Sequence, residues 1–307
     1  MRLRLLGLYI VVVAVWGTTW IAIKASVDSI PPLTAAGLRF AIAFPLLALI
    51  VARMGVPLRY PRGHGRLFAL VTLAYFTLPY VLMNFGGRAI PSGLAAVLFA
   101  TVSVFIVALS IPVLGARITR RQAVGVGVAL AALAALIANQ TGVGGDAHPL
   151  GVLALLGAAA LHALVYVVLK RDAGAISPLT LNALPMGLAG LLLCTAGAAL
   201  EHPDPSAVTG ASLGALIYLG TFASVVGFLA YFHMLRQLGP IPLALVFVLF
   251  PVVAQLAAVL GGERGIRGGS LVLLGVVLTA SLAAVTGRRA AGAPQVATRQ
   301  PSFALPD

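Results

Sequence analysis

Polar residues come in short clusters along this chain, separated by long apolar blocks. A helix rises ~1.5 Å per residue, so ~20 apolar residues cross a ~30 Å hydrocarbon layer. Ten blocks of this size are present. In the first half they run Leu5 to Ile23, Thr34 to Val51, Leu67 to Phe85, Gly93 to Leu114 and Ala123 to Asn139. In the second half they run Leu150 to Leu169, Leu179 to Leu200, Leu213 to Leu235, Ile241 to Leu260 and Gly268 to Thr286. Short segments of alternating polarity, the mark of a membrane barrel, are absent. The pattern predicts an all-α integral membrane protein with ten transmembrane helices. Arg2 and Arg4 precede the first block as they would in a signal peptide, but that block is too long for one and is expected to remain as a span. Ala290 to Asp307, rich in Ala, Pro, Gln and Thr, is expected to be a disordered tail.

Composition agrees with this pattern. Of 307 residues, 61% are hydrophobic and 9% are charged, against ~25% charged in ordinary soluble domains. That balance excludes a soluble enzyme, a disordered chain and a collagen-like fibre. The net charge of +13 would suit nucleic acid if the bases formed a stripe. They lie instead between the apolar blocks, and their distribution orients the chain. With a cytoplasmic N-terminus, fifteen bases fall inside and four outside, with Arg39 in a span. The positive-inside rule then predicts both termini in the cytoplasm. Cys194 is the single cysteine, so neither an intrachain disulfide nor a cysteine metal site is expected.

The two halves overlay. Ile30, Pro32, Leu33 and Thr34 recur as Ile176, Pro178, Leu179 and Thr180, and Lys24 as Lys170, at a shift of 146. Gly115, Ala116 and Arg117 correspond to Gly262, Glu263 and Arg264 at 147, and Arg88 to Arg236 at 148. Residues 1–145 and 146–289 are therefore expected to be two five-helix repeats, with 290–307 as the tail. A repeat with an odd number of spans enters the membrane in opposite senses in its two copies. Inverted repeats of this kind recur in secondary transporters.

Several motifs carry a family resemblance. Trp16-Gly17-Thr18-Thr19-Trp20-Ile21-Ala22-Ile23-Lys24, then Pro31-Pro32 and Leu38-Arg39-Phe40, resemble the EamA family of the drug/metabolite transporter superfamily. Gly262-Glu263-Arg264, with Pro251 twelve residues before the glutamate, is similar to that family's second-half signature. The resemblance spans roughly residues 5 to 287. It implies ten helices in two inverted five-helix repeats and the transport of small metabolites, often amino acids and often outward. The first half departs from the pattern, with Ala116 in place of a glutamate and no proline near Val104. A role for Glu263 at a helix end or in a loop is expected, paired locally with Arg264 or Arg267.

Transporter sites lie near the bilayer midplane between repeats. Trp16 in the first span and His162 in the sixth correspond at 146 and lie ~16 and ~18 Å deep by helix rise. Trp20 and Tyr166 correspond too, one turn further on the same faces. Ionisable groups buried in a membrane are functional candidates. The expected substrate-binding set is Trp16, Trp20, Tyr80, Ser103, His162, Tyr166 and Gln255. Tyr75, Asn84, Thr101, Asn182 and Tyr218 are also polar at mid-depth, and helix–helix hydrogen bonding is the ordinary use of such groups. Arg39, ~7.5 Å inside the outer end of its span, is expected to snorkel outward or to pair with Asp28; holding a carboxylate is the alternative. Pro45, Pro79, Pro112, Pro185 and Pro251 fall within spans and are expected to bend them. Gly125 with Ala129 and Gly127 with Ala131 mark the fifth span as a close-packing helix.

The expected function is a secondary transporter, with export of amino acids or related metabolites by alternating access. A channel or passive facilitator is the alternative. An integral-membrane enzyme is disfavoured, because His162 and His233 have no carboxylate beside them in the spans. Neither cofactor nor metal is expected, and no phosphate-binding loop supports direct use of ATP. The expected partners are a small-molecule substrate and the lipid bilayer, with no nucleic acid. A monomer suffices, because the repeats form an internal pseudo-dimer. The expected location is a bacterial inner membrane.

Overall fold

A computed structural model describes residues 3–141, 148–174, 176–237, 240–263 and 268–286. The tail at 290–307 and the local pairing of Glu263 with Arg264 or Arg267 involve residues outside that set. The described residues are helical almost throughout, with no strand among them. The helical runs are α1 (Leu3–Ser29), α2 (Pro32–Arg53), α3 (Gly65–Ala89), α4 (Ser92–Leu114) and α5 (Arg120–Thr141). They continue with α6 (Pro149–Asp172), α7 (Pro178–Leu200), α8 (210–237), α9 (Pro240–Leu260) and α10 (Gly268–Thr286). Seven of these, α1 to α4 and α6 to α8, are long and apolar enough to cross a membrane; α9 and α10 contain the shorter apolar stretches Leu249–Leu260 and Leu271–Ala283. Leu49, Leu153, Leu191 and Val272 are more than half exposed on the outside of the bundle, as lipid-facing side chains are.

The helices pair in a regular way. The most extensive contacts are α2 with α7, α1 with α8, α3 with α6 and α5 with α10. The pairs α4–α6 and α1–α9 follow. Exchanging each of the first five helices for its counterpart five places later maps α2–α7 and α5–α10 onto themselves and interchanges α3–α6 with α1–α8 and α4–α6 with α1–α9. Local backbone irregularities match as well. A π-helical stretch occupies Thr72–Thr77 in α3, and a second begins 147 residues later, at Leu219–Val226 in α8. Gly115 and Gly262, also 147 apart, both adopt the left-handed conformation at a helix end, with φ of 62° and 83°. Gly55 and His202 form a third such pair, with φ of 63° and 47°. An L-residue such as His202 rarely adopts that conformation, so an unusual backbone choice is made twice at one spacing.

Glycine permits the close approach of α2 and α7. A Cβ at Gly37 would stand 2.5 Å from the Cys194 backbone nitrogen, and one at Gly190 would stand 3.0 Å from the Phe40 Cβ. Gly125 and Ala129 face into the bundle, whereas Gly127 and Ala131 are exposed, because residues two apart lie on opposite sides of a helix. Only the first of the two expected small-residue pairs is therefore a packing pair.

Both α2 and α4 begin after a proline, Pro31 and Pro91, and neither proline offers a capping side chain. Glutamates from distant loops do so instead. Glu201, just after α7, accepts hydrogen bonds from the Leu33 N–H, the Thr34 N–H and the Thr34 hydroxyl, each at 2.8 Å. Glu263, beyond α9, accepts the Ser92 N–H at 2.8 Å and pairs with Lys24 Nζ at 3.4 Å. A carboxylate suits a helix start, where N–H groups lack partners and the helix dipole is positive. Glu263 therefore does serve a helix end, as expected, and the cation it meets within the described residues is Lys24. Hydrogen bonds to a charged group contribute ~1.5–3 kcal/mol each in favourable settings. Glu201→Ala is thus expected to lower the melting temperature of the purified protein by several degrees, with Glu201→Gln intermediate; a circular-dichroism melt in detergent checks it.

Candidate functional site

A cavity opens where α1, α2, α3, α4, α6, α8 and α9 converge, and no described side chain of α5, α7 or α10 lines it. Its lining is mostly aromatic. Trp16, Trp20, Tyr80, His162 and Tyr166 of the expected set all line it. Ser103 and Gln255 do not. The Ser103 hydroxyl donates back to the Ala100 carbonyl of its own helix at 2.9 Å. Gln255 packs against α4, where a Cβ at Gly93 would stand 2.5 Å from its side-chain oxygen, and its Nε2 is buried with no hydrogen-bond partner among the described residues.

The rings form two clusters. Trp16 lies 5.9 Å from Phe228, 5.0 Å from Tyr231 and 6.0 Å from Phe247, centroid to centroid. His162 lies 4.5 Å from Tyr75, 5.9 Å from Tyr80 and 5.1 Å from Phe99. Phe228 and Phe247 each follow Tyr80 and Phe99 by 148 positions, and His162 follows Trp16 by 146. Three of the four rings in each cluster thus occupy corresponding positions of the two halves. One is centred on an indole and the other on an imidazole.

Polar groups in the wall are few and oriented. His162 is buried, and its Nδ1 lies 3.0 Å from the Ala158 carbonyl oxygen. A carbonyl only accepts, so Nδ1 carries the hydrogen and Nε2 is left as the acceptor of the neutral ring. The Tyr75 and Tyr166 hydroxyls share a 2.8 Å hydrogen bond across α3 and α6. Arg39 departs from expectation. It neither snorkels nor meets Asp28; it is 4% exposed and lines the cavity. Its Nε donates to Ser224 Oγ at 2.9 Å, and its guanidinium carbon sits 4.9 Å from the centre of the Tyr80 ring. The direction of the side chain follows from the close packing of α2 on α8, where a Cβ at Gly220 would stand 3.1 Å from the Arg39 carbonyl oxygen.

The remaining mid-depth polar groups serve packing. Asn84 Nδ2 donates to the Pro32 carbonyl at 3.0 Å, and the Tyr218 hydroxyl meets Thr18 Oγ1 at 2.6 Å. Thr101 and Asn182 donate within their own helices, to the Leu98 and Pro178 carbonyls. Phe99, Phe247, Phe250 and Met83 also line the cavity, although they were not expected there. A shift of 148 applied to the expected Tyr80 points to Phe228, whereas Phe247 corresponds to Phe99, which was outside the expected set. Among the described residues no three His, Cys, Asp or Glu side chains gather as a metal site would require.

The sequence pattern of the EamA-like transporter family matches twice, over residues 4–138 and 149–287. The chain belongs to this family. Among its relatives, it is 35% identical over 247 residues to PagO of Salmonella typhimurium, covering 80% of this chain and 81% of PagO. It is 29% identical over 282 residues to a probable amino-acid metabolite efflux pump of Escherichia coli, covering 88% of this chain and 90% of that protein. The fold is similar to that of a solved crystal structure at TM-score 0.66 and 18% identity, covering 93% of this chain and 97% of that one. This EamA-family chain is a multi-pass membrane protein and a transporter of the drug/metabolite type.

Proposed function

We propose that this protein is a secondary transporter that exports small metabolites, amino acids or related compounds, by alternating access between two inverted five-helix repeats. The observation that carries the reading is the pair of corresponding ring clusters, one around Trp16 and one around His162, facing a shared cavity. Two further facts support it: the π-helical stretches 147 residues apart and the double family match. Ten membrane crossings, with repeats at 1–145 and 146–289, make each copy an odd-span unit of opposite sense. The two copies then exchange conformations, and the cavity opens to one face and then the other. The arginine distribution orients both termini to the cytoplasm of a bacterial inner membrane. Outward transport of amino-acid-like solutes is supported by relatives named as efflux pumps.

The purified protein in sealed vesicles is expected to carry a radiolabelled metabolite down its gradient, at saturable carrier rates rather than channel conductance. Accessibility tagging is expected to find both termini on one side. Absence of flux for a broad metabolite panel with folded protein, or termini on opposite sides, overturns the reading.

A further inference from the structure

Among the described residues, the cavity wall contains one full positive charge and no acid. The two ion pairs among the described residues, Lys24–Glu263 and Arg171–Asp172, leave Arg39 out. Ser224 takes Nε, and the Tyr80 ring lies under the guanidinium plane. Nη1 is buried and has no hydrogen-bond partner among the described residues. A guanidinium shielded from water and lacking an anion is unfavourable, and a bound ligand that supplies the anion removes the penalty.

We propose that Arg39 is the recognition point for the carboxylate of a solute whose apolar or aromatic body lies among the rings. Ser224 and Tyr80 hold the guanidinium plane from one edge and one face, which leaves a free N–H edge for an incoming oxygen. A carboxylate matches the planar N–H fork of arginine, and its single negative charge neutralises the single positive one. A dianion such as phosphate would leave a net charge in an apolar wall. The assignment also breaks the pseudo-symmetry of the site. The positions 146 and 147 residues after Arg39 are Pro185 and Met186. Rings are supplied by both halves and the charge by one, so a bound solute has one defined orientation, with its carboxylate toward α2 and α8.

This inference rests on reading the cavity as the transport site, so binding is tested apart from flux. The melting temperature of the purified full chain is measured with three acids and their amides at equal concentration: 3-phenylpropionate, 4-methylpentanoate and L-phenylalanine. A ligand that binds the folded state raises that temperature by mass action. At least one acid is expected to raise it by several degrees and to act at concentrations at least tenfold below its amide. Arg39→Met is expected to abolish the shift while melting higher than the original protein without ligand, because an uncompensated buried charge is gone. Arg39→Lys keeps the charge without the fork and is expected to weaken the acid at least tenfold, which preserves the test if the methionine variant does not fold. Equal response to acid and amide, an undiminished acid response in the variants, or no response to any acid overturns the proposal. Arg39-dependent acid binding without vesicle flux would retire transport and keep this assignment. Flux of neutral solutes without preference for acids would do the reverse.

Discussion

Trp16→Ala and His162→Ala are each expected to cut vesicle flux at least about tenfold while the protein still reaches the membrane. Each ring is the hub of one half of the aromatic cavity, in contact with three other rings. An aromatic pair contributes ~0.5–1.5 kcal/mol beyond its buried area. Losing two such contacts with the solute or its cage reaches ~1.4 kcal/mol, which is tenfold in affinity. Conservative replacements separate ring from polarity. Trp16→Phe keeps an apolar ring and is expected to retain most flux. His162→Phe keeps the ring and removes the nitrogen that donates to Ala158 together with the acceptor Nε2, so a loss comparable to that of the alanine variant assigns the effect to polarity. Because both hubs face one ligand volume, the double alanine variant is expected to lose less than the product of the single losses. Flux unchanged in both single variants, at normal expression, places the route outside the cavity.

The place of Trp16, Trp20, Tyr80, His162 and Tyr166 in the cavity wall was legible in the sequence, because depth and repeat register are arithmetic on residue numbers. A helix advances by a constant rise, and corresponding positions of a duplicated unit meet at related places. What arithmetic on one helix does not supply is its rotation about its own axis once packed. Ser103 and Gln255 lie at suitable depth, yet they are turned away from the cavity, the first toward its own backbone and the second toward Gly93. Arg39 illustrates the same gap. Its depth near the outer end suggested snorkelling, while contact with α8 directs it to Ser224. Partners remote in sequence were the other blind spot. Glu201 and Glu263 cap helices that begin 169 and 171 residues before them, and no local pattern announces such a pairing. The π-helical stretches were missed for a different reason. Their cause is an added residue per turn, which shifts the register of a helix without altering its apolar character.

The seat of α2 on α7 joins the fold to the site, and it yields the largest expected effect on stability. Gly37 stands two residues from Arg39, and a Cβ there would lie 2.5 Å from the Cys194 backbone nitrogen and 2.8 Å from its sulfur. Backbone cannot rotate aside as a side-chain tip can, so Gly37→Val must push the two helices apart. Overpacking of a well-filled contact costs ~1–3 kcal/mol, and more where the obstacle is main chain. Gly37→Val is therefore expected to lower the yield of folded protein sharply. Any fraction that folds is expected to lose Arg39-dependent acid binding, since a displaced α2 takes the guanidinium away from Ser224. Gly127 on α5 is the control, because nothing lies within 4 Å of a Cβ built there. Gly127→Ala is expected to be neutral or slightly stabilising, as alanine favours a helix over glycine by ~1 kcal/mol. Size-exclusion profiles and melting temperatures of the two variants decide between them. Normal folding of Gly37→Val would mean that α2 has room to move against α7.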